Sequence, residues 1–151
     1  MNILIHLKNN FSTIMEKFSI NIASRYEDMA LVEKLVQDVC DKWQLHEESF
    51  GNILVAVTEA VNNAIQHGNK SNPDKKIDIE FKPDKDIINC YVKDEGQGFD
   101  YTNIPDPTDP ENIEKLNGRG VFLMKHLADE VQFHENGRIV QLSFKSPHMV
   151  A

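Results

Sequence analysis

The sequence predicts an α+β domain in two layers, a mixed β-sheet with helices on one face. Three observations lead there. A short segment with alternating apolar residues lies near the start of the chain, two long stretches carry apolar residues at helical spacing, and the element order reads β-α-α-β-β-loop-α-β-β.

Taken in order, Phe18, Ile20 and Ile22 alternate and predict a half-buried strand over 18–22. Ser24 is placed to cap a helix over 25–43, whose apolar stripe is Met29, Val32, Leu35, Val36, Val39 and Trp43. A second helix over 47–67 turns Phe50, Ile53, Leu54, Val57, Val61, Ala64 and Ile65 inward, with Gly68 just past its end. After a loop holding Pro73, strands over 76–82 and 86–93 join through Pro83-Asp84-Lys85. The polar segment 95–117 carries Pro105, Pro107 and Pro110, and loops of that length in a domain are often functional lids. A third helix over 120–128 precedes strands over 130–135 and 138–145, which close around the hairpin signal Asn136-Gly137. Residues 1–14 fit this pattern poorly and read as an N-terminal extension, with Met15 as an alternative start; 15–146 form the domain and 147–151 a tail.

Composition narrows the function. The chain has 151 residues, enough for one domain with a real core, and its 40% apolar and 26% charged shares are those of a soluble globular protein. A net charge of −8 argues against direct nucleic-acid binding and against docking on an anionic membrane. No apolar run reaches membrane-span length and no signal-peptide cleavage pattern is present, so a cytoplasmic location is expected. Cys40 and Cys90 read as reduced, buried structural thiols.

Three motifs carry the chemistry. The first is Glu59-Ala60-Val61-Asn62-Asn63-Ala64-Ile65-Gln66-His67-Gly68-Asn69. Glu59 and Asn63 are four residues apart and share a helix face, away from Phe50, Leu54 and Val57. Adjacent asparagines are poor helix formers, and local rules tend to be broken where function demands it. An Asn63 amide oxygen suits Mg²⁺, a hard cation, and Glu59 one turn earlier suits a base or an orienter of an attacking hydroxyl. The competing reading is a solvated polar face. His67 reads as a helix-end residue, because no second His or Cys lies at ligand spacing.

The second motif, Asp94-Glu95-Gly96-Gln97-Gly98-Phe99-Asp100, turns the chain after a strand. Gly96 and Gly98 permit close backbone approach, and the Asp94 carboxylate can accept a hydrogen bond from the exocyclic amine of adenine, at a position where guanine carries no amine. The bland alternative is an ordinary Asx turn. The third motif is Gly118-Arg119-Gly120-Val121-Phe122-Leu123-Met124, two glycines at the start of a helix, where exposed N–H groups favour phosphate. Arg119 either adds charge there or faces solvent. No Walker-type phosphate loop and no eukaryotic protein-kinase signature is present.

In this order the three motifs resemble the nucleotide-binding boxes of the GHKL ATPases, and most closely the bacterial anti-sigma factor serine/threonine protein kinases, over roughly 18–144. That resemblance implies a Bergerat-type ATP-binding fold with a long ATP lid. It implies ATP and Mg²⁺ as cofactors, with Glu59 as catalytic base and Asn63 as Mg²⁺ ligand. Asp94 becomes the adenine reader, Gly96 and Gly98 shape its pocket, and Gly118 and Gly120 become lid hinges. Where relatives of this kind often carry a Thr on the last strand against adenine, the register here suggests Ile139, with Ser143 further along. The implied activity is phosphorylation of a serine on an anti-sigma antagonist protein, with a sigma factor as second partner and a homodimer as the expected assembly. The alternative is a nucleotide-dependent binding switch without chemistry. A histidine kinase is disfavoured because no phosphoacceptor helices precede the domain, and a gyrase-type ATPase because no room remains for a transducer domain.

Overall fold

Side chains alternate along each strand, so a sheet with one apolar and one polar set per strand must bury one face and open the other. The computed structural model describes residues 18–98 and 116–146, with side chains in the last helix described from position 120. The strands are β1 (Phe18–Ala23), β2 (Lys76–Asp84), β3 (Ile87–Lys93), β4 (Glu130–His134) and β5 (Ile139–Lys145), in the spatial order β1-β2-β3-β5-β4. Their buried set is Ile22, then Ile77, Ile79 and Phe81, then Ile88, Cys90 and Val92, then Val140, Leu142 and Phe144.

Against that face lie α1 (Met29–Lys42), α2 (Glu47–Asn63) and α3 (Leu116–Leu127). α1 contributes Val32, Leu35, Val36 and Val39, and α2 contributes Ile53, Ala56, Val57, Ala60 and Val61. From α3 come Val121 and Met124. Trp43, at the end of α1, closes the β1 edge with its ring edge-on to Phe18 at 5.2 Å between centroids. The two-layer α+β expectation therefore describes the molecule.

The expected mixed sheet is corrected: every neighbouring pair of strands is antiparallel. Two helices, not one, separate β1 from β2, and an even number of passes reverses the chain. β3 and β4 do run in the same direction, but β5 inserts between them, so no parallel ladder forms.

Local boundaries shift for identifiable reasons. α1 is preceded by a 3₁₀ turn, Tyr26–Asp28, and its start carries no side-chain cap. Ser24 does not cap it; the Ser24 hydroxyl instead donates to the Lys75 carbonyl at 2.9 Å. The α2 ladder changes to a π-turn over Ala64–Gly68, with the Asn69 N–H donating to the Ala64 carbonyl at 2.8 Å. Pro83 lies inside β2, beyond Phe81, the last residue of β2 that faces β1, where a missing donor is tolerated. The β4–β5 turn carries Asn136 at φ 59° and Gly137 at φ 88°, as the hairpin signal requires. The N-terminal extension, residues 99–115 of the expected lid, the Arg119 side chain and the C-terminal tail lie outside the described residues.

Candidate functional site

The first cluster forms where α3 crosses α2. Glu59 and Asn63 are both half-buried on α2, on the face away from the Val57 stripe. Gly120 of α3 sits directly over them: a Cβ there would lie 3.0 Å from Glu59 Oε2, 3.2 Å from Asn63 Nδ2 and 3.3 Å from Asn63 Oδ1. The absent side chain leaves room for a carboxylate and an amide between two helices. A cavity of about 240 Å³ opens at this place, lined by Glu59, Asn63 and Gly120 with Tyr26, Gln66 and His67. Burial lowers the His67 pKa below its ordinary 6.5, favouring the neutral ring.

The second cluster surrounds Asp94, which is 6% exposed. Its own N–H continues the sheet by donating to the Arg138 carbonyl at 3.0 Å. Its Oδ1 accepts from the Gly96 N–H at 2.8 Å. Burial raises the carboxyl pKa, opposed by the Gly96 hydrogen bond and by the charges of Arg138 and Lys75. Gly68, Asp94 and Gly96 touch so closely that a Cβ on Gly68 would overlap the Asp94 carboxylate, and one on Gly96 would overlap the Gly68 carbonyl. Gly98 has φ +86°, and a Cβ there would overlap the Asn136 carbonyl of the β4–β5 turn.

The π-turn links the clusters. It carries the chain from Asn63, at the cavity, to Gly68, against Asp94, and π-turns of this kind recur at functional sites. Glu59, Asn63 and Gly120 thus meet at one place, and Asp94 and Gly96 at the other end of the same helical segment. Gly118 lies inside α3 rather than before it, as does Gly120. Ile139 and Ser143 do not face the helices. The Ser143 hydroxyl donates to Asn89 at 2.7 Å, and Ile139 lines a larger hollow of about 470 Å³ on the open side of the sheet. That hollow contains none of the motif residues and is set by Asp78, Glu80, Lys82 and Tyr91 among others, so its greater size does not make it the site.

Sequence reading missed Gly68 as a packing partner of Asp94, and Tyr26 at the mouth of the cavity. Tyr26 follows a strand without any motif, and only the fold brings it to Glu59. Among the described residues no three His, Cys, Asp or Glu side chains could together hold a metal ion. A divalent ion here would draw on one or two oxygen donors and on its other ligands, as Mg²⁺ ordinarily does. The Asn63 amide and Glu59 carboxylate in a polar cavity fit that requirement.

The chain is 29% identical over 131 residues to serine-protein kinase RsbW of Oceanobacillus iheyensis, a match covering 82% of this chain and 83% of the relative. It is 27% identical over 135 residues to serine-protein kinase RsbW of Bacillus cereus strain Q1, covering 85% and 84%. The crystal structure of the RsbU and RsbW domains of Rv1364c from Mycobacterium tuberculosis superposes with a TM-score of 0.63 at 13% identity, over 87% of this chain and 32% of that one, which shows the shared fold. Residues 22–144 match the Histidine kinase-like ATPase domain, and the chain belongs to that family.

Proposed function

We propose that this protein is an ATP-dependent serine protein kinase of the anti-sigma type, phosphorylating an antagonist protein and releasing or holding a sigma factor according to that modification. The observation that carries the reading is the meeting of Glu59 and Asn63 beneath Gly120, a carboxylate and an amide oxygen beside a cavity where the facing helix presents a glycine. The likeness to serine-protein kinases RsbW supports the substrate class.

In this reading Asp94 accepts the adenine amine, with Gly96 and Gly98 shaping the turn that presents it. Asn63 offers its amide oxygen to Mg²⁺, and Gly118 and Gly120 serve as hinges of the ATP lid. Magnesium, when bound, neutralises phosphate charge. Glu59 takes the proton of the substrate serine as its oxygen bonds to the γ-phosphorus, and ADP carries away the electron pair of the broken P–O bond. A homodimer and a cytoplasmic location complete the proposal. No helix among the described residues is long and apolar enough to cross a membrane.

The deciding experiment is transfer of labelled γ-phosphate from ATP to a serine-bearing antagonist protein. Glu59→Gln is expected to lower transfer by about 10²-fold or more while MgATP affinity stays within about threefold. Transfer at the wild-type rate would remove Glu59 from the base role. Tight MgATP binding with no transfer by the wild-type protein would leave a nucleotide-gated binding switch in its place.

A further inference from the structure

We infer that Asn69 is the positioning residue that sets the base-reading turn, and that adenine-over-guanine selectivity passes through its side chain; this rests on the nucleotide reading above. Asn69 is 1% exposed, in a loop segment where asparagine is ordinarily solvated. All of its amide groups are engaged. Its Nδ2 donates to the Ser24 hydroxyl at 2.6 Å and to the Lys76 carbonyl at 2.9 Å. Its Oδ1 accepts from the Glu95 N–H at 2.8 Å, and its own N–H closes the π-turn on Ala64. Through its side chain and its own N–H, this one residue therefore ties together the end of the α2 segment, the end of β1, the start of β2 and the turn after β3.

The consequence falls on Asp94. Three successive N–H groups hold this turn: that of Asp94 on the Arg138 carbonyl, that of Glu95 on Asn69, and that of Gly96 on the Asp94 carboxylate. The first belongs to the sheet and the third lies within the turn. Only the middle one is held by a side chain from another segment. The Glu95 carboxylate returns the contact by accepting from the Lys76 N–H at 2.8 Å, so the turn is gripped on both sides. Without the Asn69 oxygen, the peptide carrying the Glu95 N–H is free to rotate, and the Gly96 N–H that orients the carboxylate rotates with the chain. A carboxylate held still rejects the guanine carbonyl at the position where adenine presents an amine. One that can swing away no longer rejects it.

The test is the ratio of dissociation constants for MgGTP and MgATP, measured by calorimetry on the full chain, with circular dichroism confirming the fold. Wild type is expected to prefer ATP by about 10²-fold or more, and Asn69→Ala to lose about tenfold of that preference. Asn69→Asp keeps an acceptor for the Glu95 N–H while losing both donated bonds, and is expected to keep the ratio to within about threefold despite lower stability. A merely structural residue would weaken both nucleotides together and leave the ratio unchanged. An Asn69→Ala protein that folds and keeps the wild-type ratio overturns the assignment while leaving the nucleotide reading intact. A wild type with no adenine preference overturns both. Should Asn69→Ala not fold, hydrogen exchange of the Glu95 amide in the nucleotide-free wild type decides: strong protection supports preorganisation by Asn69, and exchange at the free-peptide rate overturns it.

Discussion

A carboxylate that is 6% exposed is unfavourable for folding unless its ionised form is compensated, and at Asp94 burial outweighs the compensation. Its folded pKa lies above the ordinary 3.8, so between those two values the native state binds more protons than the unfolded chain. Stability contributed by this group is therefore greatest below 3.8 and is lost as pH rises through the raised value. Asp94→Asn should raise Tm at neutral pH, remove that part of the pH dependence, and abolish ATP preference; melts from acid to neutral pH beside nucleotide titration check all three. Gly96→Ala should cost about 3 kcal/mol, because its methyl group would overlap the Gly68 carbonyl, and denaturant titration measures it. Asp94 and Gly96 were legible in the sequence because a carboxylate and two glycines after an alternating strand form a local pattern. Gly68 was legible only as a helix end. Its contact with Asp94 joins segments far apart in the chain, and no local spacing encodes it.

At the scale of elements, α2 and α3 are helices that keep residues helices disfavour. α2 holds Asn62 and Asn63, and α3 runs through Gly118 and Gly120. The sequence suggested a start of the third helix at Gly120, whereas the helix begins at Leu116, and a glycine costs only about 1 kcal/mol in a helix. Gly120→Ala separates the two demands. The added methyl group gains roughly 1 kcal/mol of propensity but sits 3.0 Å from Glu59 Oε2. The expected outcome is a Tm within a few degrees of wild type and phosphotransfer lowered by about tenfold or more, compared in one set of melts and transfer assays. Ser24 was misread for a related reason. A serine before a helical stripe suits a cap, and nothing local signals that the Asn69 amide and the Lys75 carbonyl claim its hydroxyl instead.

For the molecule as a whole, the two layers share one core. Alternation marked the half-buried first strand in advance, while strand order was not legible, because it depends on β5 inserting between β3 and β4. Phe81 is 1% exposed at the centre of that core, and Phe81→Ala should cost about 3–5 kcal/mol in a single cooperative denaturant transition. The two thiols provide a second measure. Burial raises the Cys40 pKa to about 11 and pushes the Cys90 thiol up further still. Neither should react with an alkylating reagent at pH 8 until the chain unfolds, so the labelling rate should track global opening; fast labelling of the native protein would show local opening at the labelled cysteine.

The backbone of Gly96 rests on that of Gly68 with no side chain between them. Under the proposed function, the strip of chain that recognises the base and the strip that follows the ion-holding amide are in direct mechanical contact. Neither can slide without pushing the other. A side chain at either glycine would wedge the two strips apart, so this junction tolerates no bulk.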